Sequence, residues 1–162
     1  CSFDARSETI HFNLTIPGWE AYEEIKNRVL NVHSKQAFVA MSFDEGLKNI
    51  FTEGMEPAVK ACGFEAVRID MRQDNEKICE QIIAEINKSR FIIADFTQNK
   101  HGVYFEAGYA LGIGIPVIWM CQKDQIDRKD LHFDTQQYRH IPWVSAADLR
   151  TQLVYRIQAT IR

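Results

Sequence analysis

Along most of this chain, short unbroken apolar runs alternate with longer stretches in which apolar residues recur every three or four positions. Ala37-Phe38-Val39-Ala40-Met41, Ala66 to Ile69, Phe91-Ile92-Ile93-Ala94-Asp95 and Pro116-Val117-Ile118-Trp119-Met120 have the length and continuity of strands buried on both faces, and a fifth strand is predicted around His140 to Val144. Amphipathic helices are predicted between them. The first is capped by Asp44, carries Leu47, Ile50, Phe51, Ala58, Val59 and Cys62 on one face, and stops at Gly63. Ile78, Ile82, Ile83 and Ile86 mark the second, and the third contains Glu106 and runs to Gly112 and Gly114. The last turns Leu149, Leu153 and Ile157 inward and opens on Ser145-Ala146-Ala147-Asp148, a variant of the capping box.

Each crossover between parallel strands needs a helix to return the chain, so this alternation predicts an α/β fold: an open parallel five-stranded sheet with helices on both faces. The common flavodoxin-like or Rossmann-like order for five such units is 2-1-3-4-5, which puts a topological switch between the first and third strands. Residues 1–36 read differently. After the Pro17-Gly18 turn, Trp19, Tyr22, Ile25, Val29 and Leu30 fall at helical spacing, so this part is expected to be an extension with one helix. Because the chain opens on Cys1 in an irregular polar stretch, the extension is expected to link to an upstream region, and residues 37–162 to form the α/β domain.

Composition narrows the partners. With 46% hydrophobic residues the chain supports a real core, and a formal charge of -3 with acids and bases interspersed offers no basic stripe for a nucleic acid polymer. No apolar run approaches the roughly 20 residues that span a bilayer. Cys1, Cys62, Cys79 and Cys121 lack metal-ligand spacing, and the helical positions of Cys62 and Cys79 suggest buried reduced thiols in a cytoplasmic setting. A Gly-x-Ser-x-Gly elbow, a Walker loop and a Gly-x-Gly-x-x-Gly turn after the first strand are all missing from the sequence.

The switch point concentrates the candidate chemistry. The first and third strands end in Met41-Ser42-Phe43 and Asp95-Phe96-Thr97, followed by helices whose free amides favour an anion. Asp95 and the loop before Glu106, with Gly102 and Val103, are expected to converge on that crevice. Two carboxylates at one mouth are costly for packing alone. Asp95 could equally cap its own turn, and an acid in a first helical turn is often only a dipole partner. Asp70 could contact a ribose hydroxyl or be solvated loop charge. His132 and Asp134 suggest hydrogen bonds within a loop rather than a zinc site, and Trp119 and Tyr138 could stack on a base, although Trp119 sits in a core-like run.

Ala37-Phe38-Val39-Ala40-Met41-Ser42-Phe43, Arg68-Ile69-Asp70, Ala94-Asp95-Phe96-Thr97, Gly102-Val103-Tyr104-Phe105-Glu106-Ala107-Gly108-Tyr109-Ala110 and Ile115-Pro116-Val117-Ile118 together resemble nucleoside 2-deoxyribosyltransferase-like proteins, and more distantly TIR-type domains that cleave NAD. The most specific part is the pairing of the Ala-Asp strand end with Gly-x-x-x-Glu-x-Gly. The resemblance implies cleavage or exchange of an N-glycosidic bond in a nucleoside, nucleotide or NAD without a cofactor. Glu106 would act at the anomeric carbon, and Asp95 would handle the leaving base or orient the sugar. Related sites are often completed by a neighbouring subunit, so a homo-oligomer is one of the states the resemblance leaves open. The alternative is a nucleotide-sensing or TIR-like interaction module that keeps the crevice without turnover. The segment Leu131 to Tyr138 departs from any base-specificity element of the family.

Overall fold

The computed structural model describes residues 2–4, 9–11, 15–29, 31–69, 75–128 and 130–161; Asp70 lies outside them. In chain order the strands are β1 (Ser2–Asp4), β2 (Thr9–His11), β3 (Gln36–Ala40), β4 (Glu65–Val67), β5 (Phe91–Asp95), β6 (Val117–Gln122) and β7 (Ile141–Trp143). The helices are α1 (Ile16–Val29), α2 (Glu56–Ala61), α3 (Asn75–Lys88), α4 (His101–Gly112), α5 (Lys123–Asp127) and α6 (Ala146–Thr160). β1 and β2 pair antiparallel as a small hairpin, which the sequence pattern did not foretell. The other five strands form one parallel sheet in the order β4-β3-β5-β6-β7, the 2-1-3-4-5 arrangement expected.

Strand alternation divides the core into two layers. Val39, Phe91, Ile93, Ile118 and Met120 pack with Leu47, Ile50, Ala58 and Val59 and with Leu149, Leu153 and Ile157 of α6. Phe38, Ala40, Ile92, Ala94 and Cys121 face the opposite layer, built from Ile82 and Ile86 of α3 and Val103, Ala107 and Ala110 of α4. All five residues of β5 are buried, which explains the apolar run Phe91 to Ala94 and makes the acid at its end, Asp95, unusual.

Between β3 and β4 the chain coils in three steps. Asp44 accepts a hydrogen bond from the Gly46 amide at 2.8 Å and caps a single 3₁₀ turn, Glu45–Leu47. A π-helical stretch, Ile50–Met55, follows and leads into α2. A Cβ at Gly54 would stand 3.2 Å from the carbonyl oxygen of Ala146, so this glycine sets how closely the coil approaches α6. At the start of α6, Ser145 Oγ accepts from the Asp148 amide. The Asp148 carboxylate accepts from Val144 N rather than from Ser145 N, so the return half of the capping box is shifted by one residue.

Two expectations change. The second strand occupies Glu65–Val67 rather than Ala66 to Ile69. Cys62, Cys79 and Cys121 are free thiols, with Cys121 buried and Cys62 half-buried, but Cys79 is exposed. Cys79 lies at helical spacing from Ile82 and Ile86 but one turn nearer the start of α3. Among the described residues no helix is long and apolar enough to cross a membrane.

Gly63 ends the coil at φ +81°, and a Cβ there would meet nothing within 4 Å. The cost of Gly63→Ala is therefore conformational alone. It is expected to lower stability by about 1 kcal/mol, read as a reduced denaturant midpoint at unchanged m-value.

Candidate active site

At the carboxyl edge, β3 and β5 are neighbours whose following segments depart towards opposite layers, and the gap between those segments is a cleft of about 420 Å³. Its walls are Met41, Ser42, Phe43 and Asp44 after β3, and Lys100, His101, Gly102, Val103 and Glu106 at the start of α4. Met41, Ser42, Phe43, Gly102, Val103 and Glu106, all singled out from sequence, thus meet in one place. Open-sheet folds bind ligands at such a switch point.

A strained turn leads into one wall. After Asp95 and Phe96 the chain passes through Gln98 at φ +78° and Asn99 at φ +50°, a left-handed pair unusual for residues with side chains. Every arm of the turn is tied down. Asp95 Oδ1 accepts from Thr97 N at 3.0 Å and Thr97 Oγ1 at 2.6 Å, and Thr97 Oγ1 in turn accepts from the Gln122 amide. Ser42 Oγ donates to Gln98 Oε1 at 2.7 Å, joining the ends of β3 and β5, and Tyr104 OH donates to Asn99 Oδ1 at 2.7 Å. Lys100 then gives α4 its N-cap in an extended conformation with no side-chain cap; its carbonyl accepts from Val103 N at 3.0 Å, and the helix opens beside the cleft.

Glu106 sits on α4 one turn from Val103 and beside Ala107, is 7% exposed, and has no hydrogen-bonding or ionic partner among the described residues. Burial alone raises its pKa from 4.5 to about 7. An unpartnered, buried carboxyl aimed into a cleft is a costly feature that packing does not require.

Asp95 belongs elsewhere. Phe91 and Ile93 lie on the α6 side of β5, and strand alternation puts Asp95 on that side too, whereas α4 covers the other face. It is 2% exposed and is absent from the cleft wall. Burial raises its pKa from 3.8 to about 6 against the opposing effect of the two Thr97 hydrogen bonds and a smaller one from Trp143. The Trp143 indole is close enough to influence the carboxyl but does not complete a hydrogen bond: Asp95 Oδ2 and Trp143 Nε1 are both buried without partners. The turn-capping reading of Asp95 is the one its contacts display.

The remaining candidates are also placed. Asp70 is outside the described residues. Trp119 is buried between Phe96, with ring centroids 5.1 Å apart, and Tyr138, stacked at 4.2 Å and 3°, so its faces are taken by protein rings. His132 Nδ1 lies 3.3 Å from Asp134 Oδ2 within one exposed loop, and no cluster of three or more metal-ligating side chains occurs among the described residues. Gln98 was missed by sequence reading: Asn99 beside it is a residue type that tolerates the left-handed conformation, but Gln98 itself carries no such signal. Beyond β4, the Arg68 guanidinium lies 4.4 Å from the centre of the Phe43 ring and holds that cleft residue from behind.

Both raised acids bind protons more tightly in the folded than in the unfolded chain. Between roughly pH 4 and pH 7 the folded state therefore holds more protons, and the stability contributed by these two sites falls as pH rises through that window. Glu106→Gln is expected to flatten the decline and to raise the melting temperature at pH 8. Thermal melts of both proteins from pH 5 to 8 check this; parallel curves would contradict it.

No protein-family model matches this chain, and no curated protein sequence matches it either.

Proposed function

We propose that the cleft cleaves an N-glycosidic bond of a nucleotide, with Glu106 acting at the anomeric carbon. The observation that carries this reading is the desolvated, unpartnered carboxyl of Glu106 at a switch-point cleft. A sugar whose bond to the base is breaking becomes an oxocarbenium-like cation, and a carboxylate in a dry pocket stabilises such a charge far better than one in water. Ionised Glu106 attacks or electrostatically supports the anomeric carbon, and the C–N bonding pair leaves with the base. Water or a second base then takes the position vacated by the first.

The location of Asp95 bears on the choice of substrate. A neutral purine needs a proton as it departs, yet the cleft wall offers no second buried carboxyl to deliver one. Asp44 is exposed, and its Oδ1 is engaged by the Gly46 amide. A pyridinium base, already cationic, leaves as a neutral molecule without a proton. A pyridinium nucleotide therefore needs only Glu106, whereas a neutral purine would also need a proton from His101 on the cleft wall. Asp95 is a positioning residue in this scheme, fixing through Thr97 the turn that leads to Lys100.

Glu106→Gln keeps the size of the side chain and removes its charge. Release of nicotinamide from NAD, followed by chromatography, is expected to fall by roughly two orders of magnitude or more, chiefly in kcat. In the unaltered protein kcat/KM is expected to rise with pH and level off above about 7, as Glu106 ionises. Asp95→Asn is expected to cost less than Glu106→Gln and to leave the pH midpoint in place. Undiminished activity in Glu106→Gln, or no base release from NAD or any nucleotide, would favour the sensing-module reading.

A further inference from the structure

The carboxyl that resemblance assigns to the leaving base, Asp95, is in no position to serve it. It is 2% exposed on the α6 side of β5, commits Oδ1 to Thr97, and is absent from the cleft wall. We infer that His101 takes that role as a catalytic residue: its imidazolium delivers a proton to a neutral base as the base departs. The inference rests on the glycosidic reading of Glu106.

Elimination along the cleft wall leads to His101. Ser42 Oγ donates to Gln98 Oε1 at 2.7 Å, and Asp44 Oδ1 accepts from the Gly46 amide at 2.8 Å, so both polar groups after β3 are engaged in holding their own turns. Imidazole is the side chain that ordinarily exchanges its proton between about pH 5 and 8, and His101 is the one imidazole on this wall. It has no hydrogen-bonding or ionic partner among the described residues, which leaves its ring nitrogens open to a ligand.

Placement along α4 suits the division of labour. His101 is the first residue of the helix and Glu106 the sixth, so about 7.5 Å of helix axis separates them. That rise falls within the roughly 5–10 Å at which two catalytic groups flank a glycosidic bond. Glu106 is 7% exposed, whereas His101 is exposed and also lines a neighbouring cavity of about 520 Å³ with Asn99 and Tyr104. The desolvated carboxylate therefore serves the sugar, which becomes cationic, and the imidazole at the rim serves the base, where solvent can restore its proton. The charged and titratable groups around His101 are Lys100 beside it, Asp44 and Glu106 in the cleft, and Asp130, His132 and Asp134 in the neighbouring cavity.

In the first step the His101 imidazolium gives a ring proton to a nitrogen of the purine, the C–N bonding pair goes to the base, and the Glu106 carboxylate takes the anomeric carbon. In the second step water attacks that carbon, its proton passes to the neutral His101, and Glu106 leaves as the carboxylate. Free base and a sugar hydroxyl are the products, and both side chains return to their starting forms. Release of a neutral base thus needs Glu106 ionised, which burial delays to about pH 7, and His101 protonated, so its rate passes through a maximum with pH. Release of a cationic base needs only the first condition and reaches a plateau.

Base release from AMP, 7-methylguanosine monophosphate and nicotinamide mononucleotide, followed by chromatography across pH, tests the assignment, because only the first of these has a neutral base. His101→Gln is expected to lower adenine release relative to 7-methylguanine release by roughly a hundredfold or more, and to abolish the alkaline decline in the adenine profile. Taking the ratio cancels any general loss from a shifted helix start. A ratio unmoved by His101→Gln would overturn the inference, as would release of nicotinamide and 7-methylguanine with no adenine release by the unaltered protein; either result leaves the role of Glu106 standing. No release from any of the three by the unaltered protein overturns the glycosidic reading and the role of His101 with it.

Discussion

The parallel pairing of β3 with β5, in register from Ala37 opposite Phe91 to Ala40 opposite Ala94, is the constraint from which the rest of the site follows. Because the two strands point the same way, their carboxyl ends stop at the same level. The chain leaves β3 for the layer of α2 and α6, and leaves β5 for the layer of α3 and α4. No connection crosses the gap between the departures, so a cleft opens there without any side chain having been removed to make it. Burial of both strands on both faces keeps this edge rigid and leaves the loops to carry the variable chemistry.

Rigidity at that edge is costly. Two left-handed residues in succession, Gln98 and Asn99, cost on the order of 1 kcal/mol or more each, and they persist because Thr97, Ser42, Tyr104 and Asp130 fix the turn from four directions. The turn leads into α4 and places Glu106 one and a half turns in, beside Val103 on the cleft wall. A carboxyl raised to about 7 by burial alone represents a penalty of roughly 3 kcal/mol at neutral pH, a sizeable fraction of the stability of an ordinary domain. Solvent exposure of that side chain would relieve the penalty.

Periodicity made the sheet readable, because strands buried on both faces and helices with a single apolar stripe have distinct signatures. The inward set Leu149, Leu153 and Ile157 and the buried run of β5 are as the pattern predicts. Proximity in sequence misled for Asp95. Its parity with Phe91 and Ile93 was visible in the chain, but which layer that parity faces, and that α4 covers the other one, depends on the folded crossover. The Trp119–Tyr138 stack was equally hidden, since it joins β6 to a loop that carries no periodic signal. The hydrogen bond between Ser42 and Gln98 links residues 56 positions apart, and neither has a local reason to find the other.

The missing partner of Glu106 gives its raised pKa a meaning on the proposed reading. Burial shifts the group because the anion has nothing nearby to balance it, so a ligand that brings positive charge to the anomeric carbon supplies the balance and pulls the pKa down. Linkage makes the effect reciprocal: whatever lowers the pKa on binding is itself bound more tightly by the ionised form. A neutral nucleoside gains little from this coupling in its ground state, whereas a pyridinium nucleotide gains from it before the bond breaks and an oxocarbenium-like transition state gains most. Because the gain is largest in the transition state, part of the energy held in the desolvated carboxyl is released on binding and the remainder along the reaction coordinate, and only that remainder lowers the barrier.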